Sequence, residues 1–383
     1  MTLEDLKIMY ENLSTEIEIW YRKIETLNVQ DNVETHLIFS KNNNSETEIS
    51  VVTPSYNASS FLPQLYHTLS EQTLARKTEW IIVDDNSTDR SFEFYESLRR
   101  DKSLGRVVVL KNARNMGAAF TLKRGFSLAS SENITWISAD DAYLSKDKLE
   151  RDIQLLNQGF DVVFSEHSVI GSSVQEGKLF SVPSRLYKDK FHFIAELYFL
   201  NYLPGSSICI KKEVYNQIGG LNEFLVNVDG DFDMVVRLAL LEKKIGFSNT
   251  IVFIRQHPNQ TSKSLERMAI GTAVTRLSYI RFFKELGITN DIRDAFILQW
   301  FDKSFSIALK SQNFQIDDIL RHAAWFEELT GVPYFSEFVI KILWNNFAQK
   351  HELYKKQLKN LSNLFMESPV FVKFKNEYKK MFL

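Results

Sequence analysis

The chain has 383 residues, a length that predicts two to three domains. Its 44% hydrophobic and 25% charged residues are those of an ordinary globular protein with a large core. A net charge of −2 argues against a nucleic-acid binder that works by neutralising phosphates, and the single cysteine, Cys209, excludes a disulfide framework and a cysteine-rich zinc site.

Residues 3–30 carry apolar side chains at helical spacing (Leu3, Leu6, Met9, Leu13, Ile17, Trp20). They predict one or two helices in an N-terminal extension over 1–45. The chain opens acidic, without the basic start and apolar core of a signal peptide. The polar stretch 41–46 reads as a linker. From residue 48 the period changes. Strands are predicted at 48–53, 79–83, 106–110, 133–137 and 161–164, alternating with helices at 61–72, 89–98, 118–129 and 146–156. That alternation predicts an α/β domain, a mostly parallel sheet with helices on both faces. A looser stretch follows, with a strand at 206–210, a helix at 212–218, a helix at 231–242 and a strand at 246–254. The domain is expected to span 46–265, and 266–383 reads as an all-helical C-terminal region.

No apolar run approaches the roughly 20 residues needed to span a bilayer, so a cytoplasmic protein is expected. Residues 341–383 hold nine Lys against three Glu, interleaved with Phe371, Phe374, Tyr378 and Phe382. That tail is either a solvated helical face or a basic amphipathic element that touches anionic lipid at the membrane periphery. The aromatic helices before it form a core, a lid over an acceptor or the contact of a homodimer.

Polar residues collect after the C-terminal ends of the predicted strands, where open α/β sheets bind ligands. Thr53-Pro54-Ser55-Tyr56-Asn57 follows the first strand. A tight turn before a helix offers N–H groups to phosphate, and Tyr56 can stack on a base; an ordinary strand-to-helix turn has the same look. Asp84-Asp85-Asn86-Ser87-Thr88-Asp89 brings two carboxylates that can accept from a base and from ribose, with Ser87 or Asp89 as a helix cap. Ser138-Ala139-Asp140-Asp141 ends an apolar strand in paired carboxylates. That is either a site for a divalent cation carrying phosphates or an N-cap cluster. Asp229-Gly230-Asp231-Phe232-Asp233 opens a helix. Asp233 and Arg237, at i and i+4, are expected to pair. Asp231 then points elsewhere, as a general base or as a charge complementing the helix dipole. Arg255-Gln256-His257 follows the last strand and suits either a metal–pyrophosphate site or a structural histidine.

Taken in order, with Asn115-Met116-Gly117 and Gly219-Gly220-Leu221-Asn222-Glu223, these stations resemble the inverting family 2 of nucleotide-sugar glycosyltransferases, enzymes of the GT-A fold. The resemblance covers about residues 48–265. It implies a nucleotide-sugar donor, a UDP-sugar before others, with Mn2+ or Mg2+ as cofactor. It also implies an acceptor hydroxyl on a glycan or lipid-linked glycan, in bacterial surface polysaccharide or glycoconjugate synthesis. Tyr56 and Asp85 would hold the nucleobase in a pocket shaped by Pro54 and Asn57, with Asn115 also at the nucleotide. Asp140 would contact ribose or metal. The metal would fall to Asp140, Asp141 or both, with His257 reaching metal or pyrophosphate. Asp231 matches the catalytic base, and Asp229 is a weaker alternative. Ser138 stands where the family usually has Asp, and Gly230 where it often has Glu. Those departures keep open a non-catalytic scaffold on a degenerate fold; transfer to a polyprenyl phosphate is a third reading.

Overall fold

The computed structural model describes residues 33–44, 46–170, 178–180, 203–222, 230–258 and 260. All fall in one of the two compact units into which the chain divides. The expected N-terminal helices, the helical region 266–383 with its basic tail, and Asp229 lie outside the described residues.

The described residues build one ten-stranded sheet, in the order β1-β4-β3-β2-β5-β9-β7-β10-β6, with β8 paired to β7. The strands are β1 Thr35–Asn42, β2 Ile49–Ser55, β3 Thr78–Asp84, β4 Arg106–Asn112, β5 Asn133–Trp136, β6 Ala142–Tyr143, β7 Val162–Ile170, β8 Lys178–Phe180, β9 Ile208–Lys211 and β10 Ile245–Arg255. Strands β4, β3, β2 and β5 run parallel. β9 is antiparallel to both β5 and β7, and β10 is parallel to β7. Six strands (β2, β3, β4, β5, β7 and β10) therefore end at the same edge of the sheet. Every residue of β3 is buried, which is why it reads as an unbroken apolar run rather than an alternation.

Helices fill the connections: α1 Leu62–Ser70, α2 Ser91–Ser97, α3 Ala118–Leu128, α4 Lys148–Asn157, α5 Lys212–Gln217 and α6 Gly230–Leu240. Gly125 of α3 lies so close to β2 that a Cβ there would sit 2.3 Å from a methyl of Val52. The core runs through Val51, Leu65, Leu69, Trp80, Ile82 and Tyr95, among others. The Tyr95 hydroxyl bonds Ser55 Oγ and Asp84 Oδ2, each at 2.8 Å, and so locks the ends of β2 and β3 to α2. Among the described residues no helix is long and apolar enough to cross a membrane.

Most expected elements lie within a few residues of their predicted bounds. The N-terminal boundary differs. Thr35–Asn42, read from sequence as helical extension and linker, is an edge strand antiparallel to β4. Phe39 is buried under it while Leu37 is 59% exposed. The strand exists because β4 offers an unpaired edge, which a local pattern cannot show. β6, only two residues long, and β8 also escaped the sequence reading.

Candidate active site

The turn after β2 places Tyr56 at the common strand edge, its side chain 52% exposed. Asn57 adopts φ 49°, a left-handed conformation that Asn tolerates better than most residues. Its Oδ1 accepts the N–H groups of Thr88 at 2.8 Å and Asp89 at 3.3 Å, and its own N–H donates to Ser87 Oγ at 2.9 Å. Asn57 thus stitches the turn after β2 to the turn after β3. Asp89 strengthens the seam. It accepts Ser59 N–H at 2.9 Å and Ser91 N–H at 3.0 Å, so it caps α2 from two residues ahead of it.

Asp85 is turned inward. Its Oδ1 accepts Asn112 Nδ2–H and Met116 N–H, both at 2.8 Å, and its Oδ2 accepts Gly117 N–H at 2.7 Å. Burial raises its pKa, and those three bonds offset part of the rise. Asp85 therefore holds the loop after β4 in place, with Asn115 exposed on that loop. Gly117, at φ 85°, ends the loop and leads into α3 in a conformation that a side chain would resist. Asn112, the anchor of this arrangement, was not singled out by sequence, because one Asn at a strand end carries no distinctive spacing.

The paired carboxylates Asp140 and Asp141 lie further along the same edge. After β5, residues 137–141 carry the chain to the far edge of the sheet, where Ala142–Tyr143 pairs with Val252–Phe253 of β10. This crossing brings Asp140 to the end of β10, and His257 Nε2 lies 2.9 Å from Asp140 Oδ2. Both side chains are partly exposed, at 17% and 24% for His257 and Asp140. The His257 ring also packs on Phe61, with centroids 4.8 Å apart.

Asp141 behaves differently from Asp140. It is buried, and both its oxygens are engaged, Oδ2 by Ser206 Oγ–H at 2.6 Å and Oδ1 by Arg255 N–H at 3.1 Å. Burial, then the neighbouring Asp140 charge, pushes its pKa well above the usual carboxylate range. Arg255 is buried too. Its Nε donates to the Asp140 carbonyl at 2.9 Å and its Nη2 to Gln64 Oε1, and its guanidinium stacks over Phe61 and Phe253. It is a strut of the loop that carries Asp140. Ser206 and Gln64 carried no motif and were missed.

A carboxylate oxygen and an imidazole nitrogen 2.9 Å apart fit neighbouring ligand positions on one octahedral ion, which lie about 3 Å apart for bonds of about 2.1 Å. Among the described residues no cluster of three or more His, Cys, Asp or Glu could hold a metal.

Asp231 stands in the first turn of α6, half-buried, with Oδ1 accepting Phe232 N–H at 2.8 Å. Two residues on, Asp233 pairs with Arg237 at 2.6 Å, as the i, i+4 spacing predicts, with both side chains buried. Arg237 also donates to the carbonyl of Ile218, tying α6 to the end of α5.

The sequence model of glycosyl transferase family 2 matches residues 50–219. An uncharacterized glycosyltransferase of Haemophilus influenzae is 28% identical over 196 residues, 50% of this chain and 61% of the relative. The putative teichuronic acid biosynthesis glycosyltransferase TuaG of Bacillus subtilis is 32% identical over 108 residues, 28% of this chain and 41% of the relative. The chain thus aligns with less than two thirds of either relative's length. Among solved structures, TarS 1–349 of S. aureus in complex with UDP-GlcNAc superposes with a TM-score of 0.52. The match covers 87% of this chain and 92% of that one, and at 14% identity it speaks to the fold. The described sheet thus has the GT-A fold, and residues 50–219 are similar to glycosyl transferase family 2.

Proposed function

We propose that the protein transfers a sugar from a nucleotide-sugar donor, a UDP-sugar, to a hydroxyl of a glycan or lipid-linked acceptor, with inversion at the anomeric carbon. The observation that carries this reading is the Asp140–His257 pair at the edge where Tyr56 and the Asp85-braced loop also stand. The UDP-GlcNAc bound by TarS supports the uridine donor, and the teichuronic acid role named for TuaG supports surface polysaccharide as the product class.

In this reading Tyr56 stacks on the base. Pro54 and Asn57 shape its pocket, Asp85 positions the wall that bears Asn115, and Asp140 and His257 hold the divalent cation. A cation held by those two residues would supply positive charge against the diphosphate leaving group. The mixed oxygen and nitrogen pair suits Mn2+ better than Mg2+, which prefers oxygen. Asp231 takes the proton from the acceptor hydroxyl as its oxygen attacks opposite the leaving group. This reading assigns no second carboxylate as a nucleophile, so a single displacement would invert the centre. The lone, buried Cys209 accords with a reducing cytoplasm. Membrane contact through the basic tail and dimerisation through the helical region are expectations from sequence, outside the described residues.

The test is a panel of nucleotide sugars offered to purified protein with Mn2+, read as hydrolysis or transfer. Asp231→Asn is expected to lower the rate by about 100-fold or more. No turnover from any donor, or an unaltered rate in that variant, overturns the proposal.

A further inference from the structure

We infer that Ser206 is a positioning residue for the Asp140–His257 pair and acts through Asp141; the inference rests on reading that pair as the metal's ligands. Ser206 is buried, and its single hydroxyl grips both ends of the turn that carries Asp140. It donates to Asp141 Oδ2 at 2.6 Å, accepts the Ser138 N–H at 3.1 Å and lies 3.3 Å from Ser138 Oγ. The turn closes on itself through Asp141 N–H to the Ser138 carbonyl at 3.0 Å. Arg255 fixes what lies between, through the Asp140 carbonyl and Asp141 Oδ1. The backbone around Asp140 is therefore pinned on both sides, while its carboxylate reaches outward to His257.

The seat under Ser206 is rigid as well. A Cβ on Gly205 would lie 2.3 Å from Trp136 Cζ2, so this backbone packs directly on the indole. The Ser207 carbonyl faces Lys148 Nζ at 3.5 Å, and that ammonium pairs with Asp152 in a wholly buried ion pair. A hydroxyl held this way transmits its position instead of adapting. Ser138, where a third acid is usual in the family, is bound to the same hydroxyl. The turn is thus braced by serine hydroxyls and the inward Asp141, and Asp140 alone is presented to the metal. Groups that orient a metal ligand from behind typically change metal affinity by 10- to 100-fold when removed.

The test measures Mn2+ binding to the full chain in the presence of UDP, from the electron paramagnetic resonance signal of unbound Mn2+. Asp140→Asn reports on the underlying reading and is expected to abolish binding. Ser206→Ala is expected to weaken Mn2+ binding by about 10-fold, with Ser206→Thr restoring most of it. UDP binding without metal should be unchanged in both, which a general loss of structure would not allow. Asp141→Asn keeps the shape and can still bond Ser206 and the Arg255 N–H, so it should bind far better than Asp140→Asn. Wild-type Mn2+ affinity in Ser206→Ala, or equal losses in the Asp141 and Asp140 variants, would overturn the inference while leaving the metal site in place. Unchanged binding in Asp140→Asn would remove the metal reading itself. Should Ser206→Ala not fold, the comparison of Asp141→Asn with Asp140→Asn decides alone.

Discussion

Neighbouring acids in one motif divide into different physical roles according to burial. Asp140 and Asp141 are adjacent in sequence, yet one faces His257 and the other is enclosed by Ser206 and Arg255. Asp89 shows a third outcome. Burial alone would raise its pKa, but hydrogen bonds from Ser91 and Ser59 outweigh it and hold the carboxyl below the ordinary 3.8. The unfolded chain then takes up the proton first as pH falls. The contribution of Asp89 to stability is complete above pH 3.8 and disappears as pH drops through the folded value. Asp89→Ala is expected to cost about 1 kcal/mol near pH 6, the usual worth of a helix cap. Urea unfolding curves of variant and wild type should draw together as pH falls below 3.8.

Elements determine which of these residues meet. Each inter-strand step is about 4.8 Å, so the ends of β4, β3 and β2 set Asn115, Asp85 and Tyr56 along a line of about 10 Å, and residues 137–141 leave from the next strand, β5. Parallel direction puts every one of those ends on the same side. The alternation of strands and helices made that legible in sequence. The pairing of two-residue β6 with β10 was not legible, yet it delivers Asp140 to His257 across 117 positions of chain. Helix α6 carries the proposed base above a buried Asp233–Arg237 pair. Arg237→Ala leaves Asp233 charged and buried, and is expected to cost about 3–5 kcal/mol. Replacing both by Leu should recover most of that loss. Denaturant midpoints of the single and double variants check both outcomes.

For the whole molecule, the sheet begins upstream of the boundary that periodicity predicted. Deleting residues 1–45 removes β1 and uncovers the edge of β4, whose Val107 and Val109 are fully buried in the intact sheet. An exposed apolar edge strand recruits other chains. The truncated protein is expected to melt at a lower temperature and to aggregate, as light scattering during a thermal ramp would show. By itself the sequence determined the α/β class and most of the strands and helices that build it, because periodicity is a local property. It also foretold the Asp233–Arg237 pair, since i, i+4 contacts follow from helix geometry. Only the tertiary structure decided that Asp140 faces His257, that Asp141 and Asp85 turn inward, and that Arg255 serves as a strut. Those assignments depend on burial and on partners such as Ser206 and Gln64, which long-range pairing brings together and which leave no spacing for a sequence to display.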